Sequence, residues 1–298
     1  MTVRHLLEVD DLTRPELAEV LALAQDHSLH RVMEGRGAAL LFEKPSGRTR
    51  HSTEMAVVQL GGHPVYVRPD EVGIDERETA EDVARTLSQF HAAICARVFD
   101  HTVLERMAQA GSVPVVNLLS DRAHPLQALA DLLTLLEAGG LDGRSVAWVG
   151  DFSNVARSLA VAAAMSGIGV TVAAPAGYGP SDADLLRVRA LGGSIEVTDD
   201  PAAAVRGVDA VTTDAWYSMG QEAEAAARRP RFEPYRVDAA LMREAGPGAM
   251  FLHCLPAHRG EEVTDEVLDG PASRVWPQAA NRLHAARGTL AWLLGLRP

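Results

Sequence analysis

Two short segments carry the residue types most able to do chemistry. Phe42-Glu43-Lys44-Pro45-Ser46-Gly47-Arg48-Thr49-Arg50 follows an apolar run, Ala38 to Phe42, and sets two arginines and two hydroxyls into a strand-to-helix turn. A helix beginning near Thr49 would aim unpaired backbone N–H groups and the positive end of its dipole at an anion. Ser46 and Thr49 add hydroxyl donors, and a guanidinium fork matches phosphate oxygens two at a time. The turn is not a Walker loop, which requires G-x-x-x-x-G-K-[ST]. A solvated loop with chance basic residues is the plainer alternative. Far downstream, His253-Cys254-Leu255-Pro256-Ala257-His258-Arg259-Gly260-Glu261-Glu262 places a thiol at the end of another apolar run, Ala249 to Leu252. An anion clamp and a distant thiol suggest an enzyme whose two halves handle a phosphorylated substrate and a second reactant.

Other polar residues stand at comparable turns. His124 and Gln127 open a helix pattern three residues apart, hence on one face of its first turn. They can polarise a carbonyl or hold an amide, unless His124 only caps its helix. Arg97 ends the run Ala92–Val98, where open parallel sheets place their ligands. Gly150-Asp151-Phe152-Ser153-Asn154 joins a strand to a helix without the G-x-G-x-x-G of a dinucleotide site. Asp214-Ala215-Trp216-Tyr217-Ser218-Met219-Gly220 leaves a strand end with a carboxylate suited to an amino group and a glycine-hinged loop. As a purely structural element, Asp214 would cap the segment that follows.

Cys254 could be a nucleophile, a metal ligand or a core thiol. Zinc-ligand spacing is absent, because Cys95 is remote and Pro256 separates His253 from His258.

These residues need a scaffold of alternating elements. Thr13-Arg14-Pro15-Glu16 reads as a capping box opening a helix with Leu17, Val20, Leu21 and Ala24 on its inner face. Strands are predicted at Ala38–Phe42, Pro64–Val67, Ala92–Val98, Val113–Leu118, Ser145–Val149, Val170–Ala174, Ser194–Thr198, Ala210–Thr213 and Ala249–Leu252, with helices near Thr49, Glu78 and Val103 and from His124 to Leu136. The pattern predicts an α/β fold of two domains, each a mainly parallel sheet flanked by helices. Gly139-Gly140 marks the boundary. The domains are expected at 1–139, joined by a C-terminal helix 277–298 that packs back on the first domain, and at 140–276. Glu222–Arg229 reads as a surface loop or short helix.

Length and composition narrow the function further. The 298 residues suit two ordinary domains. No run approaches the roughly eighteen apolar residues that cross a bilayer. Glu8, Asp10 and Asp11 interrupt any secretory leader, and two cysteines are too few for a disulfide framework. A soluble cytoplasmic protein is expected. The formal charge of −12 argues against nucleic acid as a partner.

Taken in order, six segments resemble the transcarbamoylase family over nearly the whole chain. They are Ser46–Arg50, His124–Gln127, Gly150–Asn154, Asp214–Gly220, His253–Pro256 and Asn281–His284. The Ser-Met-Gly and His-Cys-Leu-Pro pair points to ornithine rather than aspartate as acceptor. The resemblance implies transfer of the carbamoyl group from carbamoyl phosphate to L-ornithine, giving L-citrulline and phosphate, with no metal or organic cofactor and in a homotrimer with active sites at subunit interfaces. By position, Ser46, Gly47, Arg48 and Thr49 would lie at the phosphate. Arg97, His124 and Gln127 would engage the carbamoyl group. Asn154, Asp214, Ser218 and Met219 would grip ornithine, and Cys254 would lie near the side-chain amine and help Asp214 orient it. The Leu255 carbonyl and Arg282 would complete the carbamoyl phosphate site. Arg97, His124, Asp214 and Cys254 are the expected catalytic set.

Three positions depart from the family pattern: Gly47 for Thr, Gly73 for a Gln that reaches a neighbouring subunit, and Ser153 for the first of two Asn. Weaker carbamoyl phosphate affinity is the expected result. The rival readings are a transcarbamoylase for another amine such as putrescine, and a non-catalytic family member.

Overall fold

The computed structural model describes residues 3–217 and 222–298. Among the described residues the alternating apolar runs form nine strands: β1 Gly37–Phe42, β2 His63–Val67, β3 His91–Arg97, β4 Val115–Leu119, β5 Ser145–Val149, β6 Gly169–Ala173, β7 Ile195–Thr198, β8 Ala210–Thr213 and β9 Met250–His253. Each overlaps its expected run. β4 starts two residues late because Pro114 has no N–H for the ladder, although its carbonyl accepts from Ile94 N–H.

The chain divides into two compact units, Met1–Leu133 with Ala280–Pro298, and Thr134–Ala279. The first holds a parallel sheet of order β2-β1-β3-β4, and the second a parallel sheet of order β7-β6-β5-β8-β9. The continuous apolar strands follow from burial on both faces, as for β1, buried from Ala38 to Phe42. Ala39, Leu41, Ile94 and Ala96 join Val83, Leu104 and Met107 in one core. Ala147, Val149, Val211 and Phe251 join Val205, Val237 and Val263 in the other.

In the first unit the chain moves from β1 outward to β2, and β3 then takes the opposite flank of β1. In the second, β6 and β8 flank β5 in the same manner. Each sheet therefore has a switch point, and the crevice beyond the strand C-termini at such a point is where open α/β sheets bind ligands.

The expected capping box is formed: Thr13 N–H donates to Glu16 Oε2 at 2.7 Å and Glu16 N–H to Thr13 Oγ1 at 3.4 Å. The C-terminal helix begins at Val275 and ends at Leu293. Within the first unit it packs on the helix Arg14–Gln25 through Gly288, where an added Cβ would come within 2.7 Å of Ala24 N and Val20 O. Among the described residues no helix is long and apolar enough to cross a membrane.

Candidate functional site

In the first unit the anion turn lies beyond β1, at the switch point. Its helix starts earlier than expected, at Gly47, because Ser46 is the N-cap: Ser46 Oγ accepts from Thr49 N–H and donates to Thr49 Oγ1 at 3.1 Å. Gly47 opens the helix and Arg48, exposed, follows it. Arg50 turns away, pairing with Glu54 at 2.7 Å and lying over the Tyr66 ring at 3.9 Å. An added Cβ at Gly47 would meet nothing within 4 Å.

Arg97 is the last residue of β3, and His124 and Gln127 stand at the start of the helix Pro125–Glu137; all three are buried. The C-terminal helix delivers Arg282 to the same place. Arg282 donates to Gln127 Oε1 at 3.0 Å and to Thr49 Oγ1, and Gln127 Nε2 donates to Asp131 Oδ1 at 2.8 Å. Arginine can only donate and a carboxylate can only accept, so the orientation of the Gln127 amide is dictated; one N–H and one lone pair remain for a ligand.

Burial holds the His124 imidazole well below the usual histidine range, and the guanidinium groups of Arg282 and Arg97 add to that shift. The cluster thus offers two buried cations and a neutral imidazole, an electropositive group able to polarise a carbonyl and hold an anion.

The second unit places Asp214 just beyond β8 and Cys254 just beyond the neighbouring β9, with Gly150–Asn154 beyond β5. Cys254 Sγ lies 3.1 Å from Asp214 Oδ1 as its donor. Asp214 Oδ1 also accepts from the N–H of the next residue, Ala215, at 2.8 Å. Asn154 is the first residue of the helix Asn154–Ser166, whose N-cap is Ser153, accepting from Val155 N–H at 3.2 Å. Serine and asparagine cap comparably, so the departure at Ser153 keeps the local helix start.

Leu255 adopts φ 59°, and the Leu255–Pro256 peptide is cis. A leucine in the left-handed region is strained by roughly 1–3 kcal/mol, a feature that concentrates at ligand sites. Ser218 and Met219 lie outside the described residues.

Gly73 sits at φ 54° and caps the short helix Pro69–Val72, with three successive N–H groups, Glu76 to Glu78, pointing to its carbonyl. A Gln there would have to adopt the left-handed conformation that glycine takes freely.

Two features escaped the sequence reading. Lys44 is the only lysine beside twenty-seven arginines. Its ammonium sits 4.1 Å from the centre of the Phe99 ring, and burial, followed by the Arg97 charge, lowers its pKa. A count of lysines would have flagged it. The second is Arg228, expected in a surface segment and found buried in the helix Ala225–Phe232. It donates to Asp151 Oδ2 at 2.7 Å and to the Trp216 carbonyl at 3.0 Å. No local pattern in an Ala- and charge-rich segment separates that arginine from its solvated neighbours.

Comparison with known proteins accords with this division of labour. Residues 4–137 match the family model "Aspartate/ornithine carbamoyltransferase, carbamoyl-P binding domain", and residues 142–293 match "Aspartate/ornithine carbamoyltransferase, Asp/Orn binding domain". The chain belongs to the aspartate/ornithine carbamoyltransferase family. Within it, the chain is 51% identical to an ornithine carbamoyltransferase of Acidothermus cellulolyticus, over 98% of this chain and 97% of that one. Among solved family structures, the ornithine carbamoyltransferase of Pyrococcus furiosus superposes with a TM-score of 0.94 at 45% identity, covering 99% of both chains. That of Thermus thermophilus gives 0.89 at 46% identity, covering 98% of this chain and 99% of that one. The two family models divide the chain at residues 137–142, near the expected boundary at Gly139-Gly140.

Proposed function

We propose that this chain transfers the carbamoyl group of carbamoyl phosphate to the side-chain amine of L-ornithine, giving L-citrulline and phosphate. The observation that carries the choice of acceptor is the Cys254–Asp214 contact at 3.1 Å, a thiol and a carboxylate placed together at the ends of adjacent strands. The near-full-length likeness to proteins named ornithine carbamoyltransferase supports it. A Pyrococcus furiosus relative named "Ornithine carbamoyltransferase, anabolic" favours the citrulline-forming direction.

In this reading the first unit holds the donor. The helix N-terminus at Ser46–Thr49, with Arg48, receives the phosphate. Arg97 and neutral His124 donate to the carbamoyl oxygen, where charge builds as the carbon becomes tetrahedral. Gln127 engages the carbamoyl amide with its remaining donor, and Arg282 sets the height of Gln127 and Thr49.

The second unit holds the acceptor. Asn154, Ser218 and Met219 take the α-amino and α-carboxylate groups, while Asp214 and Cys254 orient the side-chain amine. An alkyl amine has a pKa of about 10.4, so fewer than roughly one in a thousand are neutral at pH 7. Selecting and aiming that neutral form is therefore the acceptor site's main task. The nitrogen lone pair forms the new C–N bond, the C–O bond to phosphate breaks with its electrons on oxygen, and the departing phosphate takes the amine's proton. Cys254 forms no covalent intermediate.

We further propose a homotrimer working in the cytoplasm. Exposed Met55 and Val58, three apart on one helix, and exposed Phe90 support burial against another subunit.

The test is ureido-product formation from carbamoyl phosphate with L-ornithine, putrescine, L-lysine and L-aspartate at equal concentration, beside a His124→Ala control. Product with ornithine alone is expected. A putrescine preference overturns the acceptor assignment, and activity no higher than the control overturns the enzyme itself.

A further inference from the structure

The chain after β9 carries a second convergence of ligating atoms. His258 Nδ1, Glu261 Oε2 and Glu262 Oε2 are buried polar atoms with no hydrogen-bond partner. The three residues each offer a ligand atom within 4.8 Å of the others. Buried polar atoms are nearly always satisfied, so three orphans in one place demand an account.

Their neighbours explain which atoms are left over. Glu262 is 0% exposed. Its Oε1 accepts from His258 N–H at 2.6 Å and lies 3.1 Å from His253 Nε2. His253 Nδ1 accepts from Leu255 N–H at 2.9 Å, so Nε2 carries the ring proton and donates to Glu262. Oε1 is thus occupied, and Oε2 is left 3.8 Å from His258 Nδ1. Glu261 repeats the arrangement. Its Oε1 takes Arg229 at 2.8 and 3.1 Å, leaving Oε2 buried and bare. The His258 ring is held by stacking on Tyr217, centroids 5.3 Å apart and planes 18° apart.

A proton does not resolve this cluster. A histidinium would donate from Nδ1 to a single acceptor, 3.8 Å is too long for that bond, and Glu261 Oε2 would stay bare. A metal ion answers all three atoms. One imidazole nitrogen and two carboxylate oxygens suit a borderline divalent cation, with metal–ligand distances of about 2.0–2.2 Å that this spacing reaches by a small closure. The non-ligating oxygens are already oriented from behind by His253 and Arg229, as ligating carboxylates commonly are.

The Asp214–His253–Cys254 group is a weaker competitor, because both His253 nitrogens are committed. Pro256 rules out a shared helical face for His253 and His258, but this second site is built by a loop and needs none.

We propose that His258, Glu261 and Glu262 form a binding site for one divalent cation such as Zn2+ or Co2+. The ion would tie the Tyr217 and Arg229 contacts to the loop that follows Cys254, giving the acceptor-side unit a structural clasp.

The test uses the full chain freed of metal and titrated with Co2+, followed by visible absorption and equilibrium dialysis. One Co2+ per chain is expected, with d–d bands and no thiolate charge-transfer band. Binding should weaken at least about tenfold in His258→Ala and in Glu261→Gln, both at partly exposed positions, and stay unchanged in Cys254→Ala. A thiolate band that disappears in Cys254→Ala would assign the ion to the other group and overturn the proposal. So would undiminished binding in His258→Ala, or no stoichiometric binding by the unsubstituted chain.

Discussion

Arg282 and Thr49 are 233 positions apart and hydrogen bonded, the guanidinium donating to the hydroxyl while its other arm reaches Gln127. One planar fork thus fixes the relative positions of the anion turn and the first turn of the helix Pro125–Glu137. Arg282→Lys keeps the charge but offers no fork. Leaving one of those buried acceptors unpaired costs about 1–3 kcal/mol. The half-saturating carbamoyl phosphate concentration should rise about tenfold or more at saturating ornithine. Unaltered steady-state constants would show that the fork does not set the donor site.

The Cys254–Asp214 contact separates two roles by substitution. On the proposed function, Asp214→Asn removes the carboxylate that would aim the amine, and kcat/KM for ornithine should fall about 100- to 1000-fold, the size associated with one lost charge-directing group. Cys254→Ser retains a donor to Asp214 and should keep measurable turnover with a higher KM for ornithine. Complete inactivity of a folded Cys254→Ser protein would point to a covalent thiol instead.

Gly47 lies in open space at the first turn of its helix, so a larger residue meets no steric barrier. Any side chain there should stabilise the fold by about 0.4–1 kcal/mol through the unfolded state. Gly47→Thr also restores a hydroxyl at the anion turn, whereas Gly47→Ala does not. Both variants should unfold later in urea, and only the Thr variant should lower KM for carbamoyl phosphate. Equal KM values would remove the hydroxyl from the argument.

His124 sets a pH dependence of stability. Its folded pKa is depressed, by burial first and by Arg282 and Arg97 second, so in acid the unfolded chain binds a proton that the folded chain refuses. Stability is therefore full above the ordinary histidine value near 6.5 and falls as pH drops below it, by up to about 1.4 kcal/mol per pH unit until the depressed folded value is reached. His124→Gln should flatten that slope between pH 6.5 and 5 in urea melts. Parallel curves for the two proteins would mean that His124 does not titrate differently on folding.

Gly288→Ala sets two magnitudes against each other. Alanine improves helix propensity by about 0.8–1.0 kcal/mol. Here its Cβ would press on Ala24 N and Val20 O at 2.7 Å, and overpacking of this kind costs about 1–3 kcal/mol. The contacts are backbone and cannot swing aside, so a net loss of stability is expected in thermal unfolding. A stabilised variant would mean that the two helices separate easily.

The strands were legible because each is a continuous apolar run closed by polar turn residues, which is what burial on both faces of a parallel sheet demands. Helix starts were legible to the extent that their caps are local. Thr13 and Glu16 announced themselves, while Ser46 moved its helix start ahead of Thr49. The C-terminal helix begins at Val275, two residues before the expected 277, with Val275 buried although Trp276 is exposed. Within the site, residues in compact motifs could be found from spacing. The Arg228 pairing with Asp151, and the three bare atoms of His258, Glu261 and Glu262, could not: each depends on which oxygen of a carboxylate a distant or backbone partner has already taken.

Lys44 has a practical consequence. Apart from the α-amine, it is the one amine this chain presents to acylating reagents, isocyanates or aldehydes, and it stands two residues before Ser46. Any label, cross-link or resin attached through a side-chain amine therefore sits two residues from Ser46, the N-cap of the helix Gly47–Gln59. Coupling through Cys254 would strike the acceptor side, and Cys95 is fully buried with its thiol pushed up to about 12. With arginine in place of lysine at every other basic position, this molecule is nearly mute to amine chemistry, and where it does answer, it answers beside the helix start at Ser46.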